Sequence, residues 1–119
     1  MKFAQADMKH KTIQDVDGSL EISEYAKFPR GKDFPMDGAM CSVNGLMSFK
    51  KNNFCEMFFV LEGALTVTER VAGEESSYTV EQGDMCIMEK GLEHSIQGEN
   101  TKVFIACSPA YQNVKEPYM

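Results

Sequence analysis

Six side chains of this 119-residue chain have the types and spacing to do chemistry: Lys50, Asn52, Glu56, Phe58, Cys86 and His94. Glu56 lies in the strongly apolar run 55–61, where a strand would put it on one face with Phe58 and Val60. A carboxylate buried there without a partner is destabilising or takes up a proton. Lys50 offers one partner, because positions 50, 52 and 56 share a parity and project from the same face of regular strands. A Lys50–Glu56 ion pair is a purely structural reading. A paired, desolvated carboxylate can also act as a general base, so the structural and catalytic readings stand side by side.

The chain has only two histidines, His10 in a polar N-terminal stretch and His94 near the end of the apolar region. His10 reads as solvated, whereas His94 is a candidate acid or base, since imidazole titrates near neutrality. Four cysteines at 41, 55, 86 and 107 make no Cys-x-x-Cys pair and read as small buried thiols. Cys86 follows Gly83 by three residues on a strand leading toward His94, so it is either core filler or a thiolate ligand beside Glu56 and His94. Lys50 and Lys51 form the only adjacent basic pair in this region, fit either to receive a carboxylate or phosphate or to be a solvated strand end. Leu46, Phe54, Phe58, Met85, Met88 and Phe104 are candidates for a pocket lining or for ordinary core.

Short alternating runs separated by turn residues must position these groups, and no segment has a helical period. The expected strands are 19–25, 39–49 with an interruption at Asn44-Gly45, 55–61, 64–70, 78–80, 85–88, 94–97 and 102–108. The expected turns are Glu62-Gly63, 71–77, 82–84 and 98–100; a loop covers 28–38, and an irregular tail runs from Pro109 to Met119. This is an all-β pattern for one domain with one core. The net charge of −6 with scattered Lys and Arg leaves no basic stripe for nucleic acid. No run approaches the ~20 apolar residues of a membrane helix, and the first ten residues carry no apolar signal region, so the expected location is cytoplasmic.

Two segments resemble the signatures of the cupin family. The first carries Gly45, Lys50, Asn52, Glu56 and Gly63 across GLMSFKKNNFCEMFFVLEG, with the opening glycine one residue closer than the pattern asks. The second carries Gly83, Glu89, Gly91, His94 and Gly98 across GDMCIMEKGLEHSIQG, departing at the pattern's Pro and final Asn. The pair in this order implies a double-stranded β-helix, or jelly-roll, barrel over residues 38–110, with 1–37 packing on it and 111–119 as a tail. The resemblance also places the strand of His94 near that of Glu56, facing one interior. Metal-dependent relatives use two first-motif histidines, a Glu and the second-motif His; here Lys50 and Asn52 stand where those histidines would be, and a three-imidazole site is arithmetically impossible.

The cofactor expectation is therefore one divalent ion, Fe, Mn, Ni or Zn, held weakly by Glu56, His94 and Cys86, or none. Small cupins associated with ethanolamine utilisation look similar in lacking first-motif histidines. The implied function is binding of a small polar or anionic metabolite by Lys50, Asn52 and Phe58, with isomerase- or lyase-like acid–base chemistry through Glu56 and His94. The alternative is a non-catalytic, metal-free ligand-binding or accessory module. The partner expectation is a homodimer, with neither nucleic acid nor membrane.

Overall fold

A computed structural model describes residues 2–25 and 36–108. One short 3₁₀ turn, Gln5–Asp7, precedes eight strands: β1 Met8–Gln14, β2 Asp17–Tyr25, β3 Asp37–Leu46, β4 Cys55–Glu62, β5 Ala64–Val71, β6 Glu74–Glu81, β7 Met85–Met88 and β8 Glu93–Ser108. Every pairing is antiparallel, in the order β1-β2-β3-β8-β4-β7, with β5 joining β8 and β6 joining β5. The chain is an all-β jelly-roll barrel of the cupin type. No helix among the described residues is long and apolar enough to cross a membrane.

β8 is the spine of the barrel. Its first half pairs with β5 and its second half with both β3 and β4. Alternation along the second half buries Thr101, Val103, Ile105 and Cys107 and leaves Lys102 and Ser108 outside. The buried Val43, Val60, Leu65, Val67 and Val103, all fully shielded from solvent, form the centre of the core. Their β-branched or compact shapes suit a pleated inner surface.

Several expectations on element boundaries change. The expected turn at 98–100 lies inside the continuous β8, yet the chain does bend there. Asn100 has a φ of 49°, and a side chain on Gly98 would meet the Thr101 hydroxyl at 2.6 Å. Gly98 is therefore required by close approach within a corner, where Thr101 Oγ1 donates to Ala64 O at 2.7 Å. Asn44-Gly45 is a bulge, with a register shift against β8 and a φ of 83° at Gly45. β3 ends at Leu46, and residues 47–49 are irregular.

β1 and the first half of β6 come from segments read as a polar stretch and a turn. Both are outlying strands, and β6 buries only Val80. The loop expected at 28–38 falls mostly on residues 26–35, which lie outside the described residues, as does the tail from Pro109 onward. Residues 37 and 38 begin β3.

Candidate active site

Glu56 is held by its strand neighbours. It stands opposite Met88 on β7 and Cys107 on β8, which places all three side chains on the inner face. His94 comes from the other half of β8, next to the segment that links β3 to β4. There Lys50 N–H donates to His94 O at 2.8 Å and His94 N–H to Lys50 O at 3.0 Å, a single antiparallel bridge. Gly91 N–H donates to Asn52 O at 2.9 Å, and Ser95 Oγ donates to Met47 O at 2.6 Å. The first half of β8 thus meets the segment before β4, while its second half pairs with β4 itself.

The side chains converge accordingly. Asn52 Nδ2 donates to Glu56 Oε1, and His94 Nε2 stands 3.9 Å from the same oxygen. Cys107 Sγ approaches the other oxygen, Oε2, at 3.9 Å, a long contact even for sulfur. Both acid–base groups are buried, with the His94 side chain 8% and the Glu56 side chain 15% exposed. His94 Nδ1–H donates to Leu92 O at 3.0 Å, which leaves the Nε2 lone pair directed toward Glu56 in the neutral ring.

Burial sets the electrostatics. It pushes the Glu56 carboxyl up to about 7, against the smaller opposing effects of the Asn52 amide, the Lys50 charge and the Cys107 thiol. Burial also lowers His94 below the usual imidazole range, with the Leu92 carbonyl opposing. Both shifts disfavour an ion pair. Near neutrality the arrangement holds a carboxyl that can give a proton and an imidazole nitrogen that can take one.

Two hollows meet at Glu56. The loop hollow, about 50 Å³, is walled by Ser48, Lys50, Asn52, Phe58, His94 and Ile96 among others. The hairpin hollow, about 70 Å³, lies under β1 and β2 and includes Ile13, Ile22, Ala39, Cys41 and Cys107. Glu56, Leu20 and Ile105 belong to both.

The structure therefore brings Lys50, Asn52, Glu56, Phe58 and His94 to one cavity. Lys50 acts on Glu56 through its charge, while the carboxyl's hydrogen bond goes to Asn52. Lys51 points elsewhere, into a surface groove with Arg70 and Lys90, so the two lysines do not act together. Cys86 faces inward opposite Phe58 but is in the wall of neither hollow. Its thiol is pushed up to about 11 by burial, with the Tyr78 hydroxyl opposing. Cys55 is exposed, unlike the other three free cysteines, and so are Leu46 and Met85.

Among the described residues no three His, Cys, Asp or Glu side chains are grouped to hold a metal ion. Glu56 and His94 offer one oxygen and one nitrogen, and the neighbouring amide and ammonium are poor completions of a divalent site. The described residues at this site do not fit a resident divalent metal.

Sequence reasoning missed Cys107, Ser48 and the hairpin residues. Cys107 was legible in the inward alternation of Val103, Ile105 and Cys107. Ser48 is placed by Asp15, in the turn of the β1–β2 hairpin, which accepts from Ser48 N–H at 2.8 Å and from its hydroxyl at 2.5 Å. These bonds, the hydroxyl first, hold the Asp15 carboxyl down to about 2. No local signal in the sequence pairs residues so far apart.

No family model matches the sequence, and no curated protein matches it. Solved structures do share the fold. The oxalate decarboxylase of Lactobacillus farciminis, in a formate complex, superposes with a TM-score of 0.70 at 20% identity over 90% of this chain and 32% of that one. A Bacillus subtilis oxalate decarboxylase variant gives 0.74 at 16% identity over 98% and 31%. Pac13, a nucleoside dehydratase, gives 0.76 at 10% identity over 100% and 90%. The chain spans about a third of the length of the oxalate decarboxylase chains and nearly all of Pac13. At these identities the likeness is one of fold.

Proposed function

We propose that this cupin-type barrel binds a small polar metabolite at Glu56 and performs acid–base chemistry on it, with His94 as the second proton-handling group. One observation carries the reading: a buried carboxyl pushed up to about 7 stands 3.9 Å from a neutral imidazole nitrogen at the wall of a cavity. Proton transfer, isomerisation or elimination suits such a pair, because each needs a group that donates and one that accepts at the same pH. The structural neighbours support chemistry in such barrels, since they include a decarboxylase and a nucleoside dehydratase. Asn52 adds a binding feature, as its Oδ1 is buried without a hydrogen-bond partner and can accept from a ligand donor. Lys50 and Phe58 would supply charge and an apolar wall. No step in this reading passes through a metal.

The reading includes a cytoplasmic homodimer. Four free thiols suit a reducing compartment. On the outer sheet face, Phe59 stands opposite Met85 and Met57 opposite Ile87, leaving Met85 and Ile87 about half exposed. A second reading, a ligand-binding module without chemistry, draws on the same cavity.

The test is proton NMR of small diols and hydroxy acids incubated with the protein in heavy water. Conversion or deuterium exchange that disappears in both Glu56→Gln and His94→Gln is the expected result. Binding without conversion selects the second reading, and conversion untouched by both substitutions overturns the first.

A further inference from the structure

Two buried acceptors in the wall of the loop hollow have no hydrogen-bond donor among the described residues. Asn52 is 3% exposed; its Nδ2 is spent on Glu56 Oε1, and its Oδ1 is buried and unpartnered. His94 is buried as well, and the Leu92 carbonyl beside its Nδ1 can only accept. Nδ1 therefore carries the hydrogen, and Nε2 of the neutral ring keeps a lone pair. At 3.9 Å from Glu56 Oε1, Nε2 is too far for a hydrogen bond to the carboxyl. Buried polar atoms in native proteins are almost always bonded, so these two point to a ligand that brings the hydrogens.

We infer that the loop hollow is the ligand pocket, and that Asn52 Oδ1 and His94 Nε2 together select a small molecule with hydroxyls on neighbouring carbons, a 1,2-diol. This rests on the acid–base reading above, from which it takes the uncharged Glu56 and His94, and it names the ligand class.

The chemistry of the two acceptors excludes most other small polar groups. A ketone, ether or carboxylate oxygen only accepts, and bound there it would leave both Oδ1 and Nε2 buried and unpaired. An ammonium donates, but it would have to shed its hydration in a hollow whose wall includes Leu20, Met47, Phe58 and Ile96. Hydroxyls bring the hydrogens without a charge. Lys50, in the same wall, only donates. A hydroxyl suits that neighbour too, since its oxygen accepts while its hydrogen is given away.

Size sets the spacing of the donors. A hollow of about 50 Å³, at ~10–15 Å³ per water-sized group, takes about three to five such groups. Two hydroxyls on so short a skeleton sit on adjacent carbons. Asn52 and His94 converge to match, as both approach the same oxygen of Glu56. A site built from acceptors rejects an analogue that lacks one of the hydrogens, because a buried acceptor is then left unpaired.

The test is an NMR titration of the full chain, labelled with nitrogen-15 and with carbon-13 at the isoleucine methyls. The probes are propane-1,2-diol and, separately, hydroxyacetone, the same skeleton with one hydroxyl replaced by a carbonyl. Ile96 lines only the loop hollow and Ile13 and Ile22 only the hairpin hollow, while Ile87 is exposed on the outer face. The diol is expected to move the Ile96 methyl and the His94 Nε2 signal and to leave Ile13, Ile22 and Ile87 in place. Hydroxyacetone is expected to bind at least about ten-fold more weakly, a difference of about 1.4 kcal/mol. In Asn52→Ala the gap between the probes is expected to shrink at least about three-fold, since one of the two acceptors is gone.

Ile13 and Ile87 report whether that variant keeps its fold, and the wild-type comparison stands without it. Movement of Ile13 and Ile22 with Ile96 in place, or no movement at all, overturns the pocket assignment and leaves the acid–base reading intact. Hydroxyacetone binding as tightly as the diol overturns the ligand class, again without touching that reading. The acid–base reading fails separately, in heavy water: the expected shifts with neither conversion of the diol nor deuterium exchange into it keep the ligand class and select the non-catalytic module.

Discussion

The loop hollow and the hairpin hollow share Glu56 but are built from different parts of the chain. The loop hollow gathers polar groups from one short segment, Ser48, Lys50 and Asn52, and clamps that segment to His94 by backbone hydrogen bonds. The described wall of the hairpin hollow is made mostly of apolar side chains on β1, β2, β3 and β8, with Lys11, Glu24 and Asp37 as its other charged side chains beside Glu56. The difference teaches how one carboxyl can be kept neutral yet usable. One side orients it by a hydrogen bond, and the other surrounds it with largely apolar side chains that disfavour its charged form.

The largest expected effect comes from removing the shared wall. Ile105 is buried and borders both hollows, so Ile105→Ala is expected to destabilise the fold by about 2–4 kcal/mol in denaturant unfolding. A loss of under about 1 kcal/mol would mean that the two hollows are not separated by a packed side chain.

Replacing the carboxyl tests its cost directly. The folded value of Glu56, about 7, lies above the ordinary 4.5, so the folded state holds the proton more tightly than the unfolded one. The two states are alike below pH 4.5, and the fold loses stability as pH rises from there to about 7. Glu56→Gln is therefore expected to leave stability unchanged near pH 4 and to raise it by about 2–3 kcal/mol at pH 8. An unchanged or lowered stability at pH 8 breaks the contrast between the hollows.

A finer comparison sets the two partners of the carboxyl against each other. Asn52→Ala removes a donor that favours the ionised form, so the Glu56 midpoint is expected to rise by about one pH unit in carbon-13 titration. Cys107→Ala removes the weaker contact and is expected to raise it by less than about half a unit. The reverse ranking would make the hairpin side the orienting one. Smallest is Ser48→Ala, which releases one of the bonds on Asp15 and is expected to raise the Asp15 midpoint from about 2 toward the ordinary 3.8. Asp15 is depressed when folded, so its stabilising contribution is present above pH 3.8 and fades as pH falls toward 2, and the variant is expected to lose part of that acid-side margin.

How much of this was legible in the sequence depended on the kind of signal. Strands β4, β5, β7 and the second half of β8 alternate strongly and have an apolar face, so period two found them. β1 was read as a polar stretch because a sheet-edge strand with lysines has no buried face to betray it. β6 hid for a similar reason, since seven of its eight residues are exposed. Glu56 was conspicuous as a carboxylate in an apolar run, and parity tied it to Lys50 and Asn52. Its nearness to His94 followed from a family resemblance, because the corner in β8 that brings them together is a tertiary feature. The hairpin hollow was not legible at all, as its wall comes from five strands whose pairing no local pattern encodes.

The central claim is that burial holds Glu56 and His94 as an uncharged, complementary pair. It is tested most directly by NMR titration of the Glu56 side-chain carboxyl carbon and the His94 ring nitrogens in the wild-type protein. The account predicts a Glu56 midpoint near 7 and a His94 midpoint below 6.5 with the proton on Nδ1. A Glu56 midpoint near 4.5 together with a cationic His94 at neutral pH would contradict it.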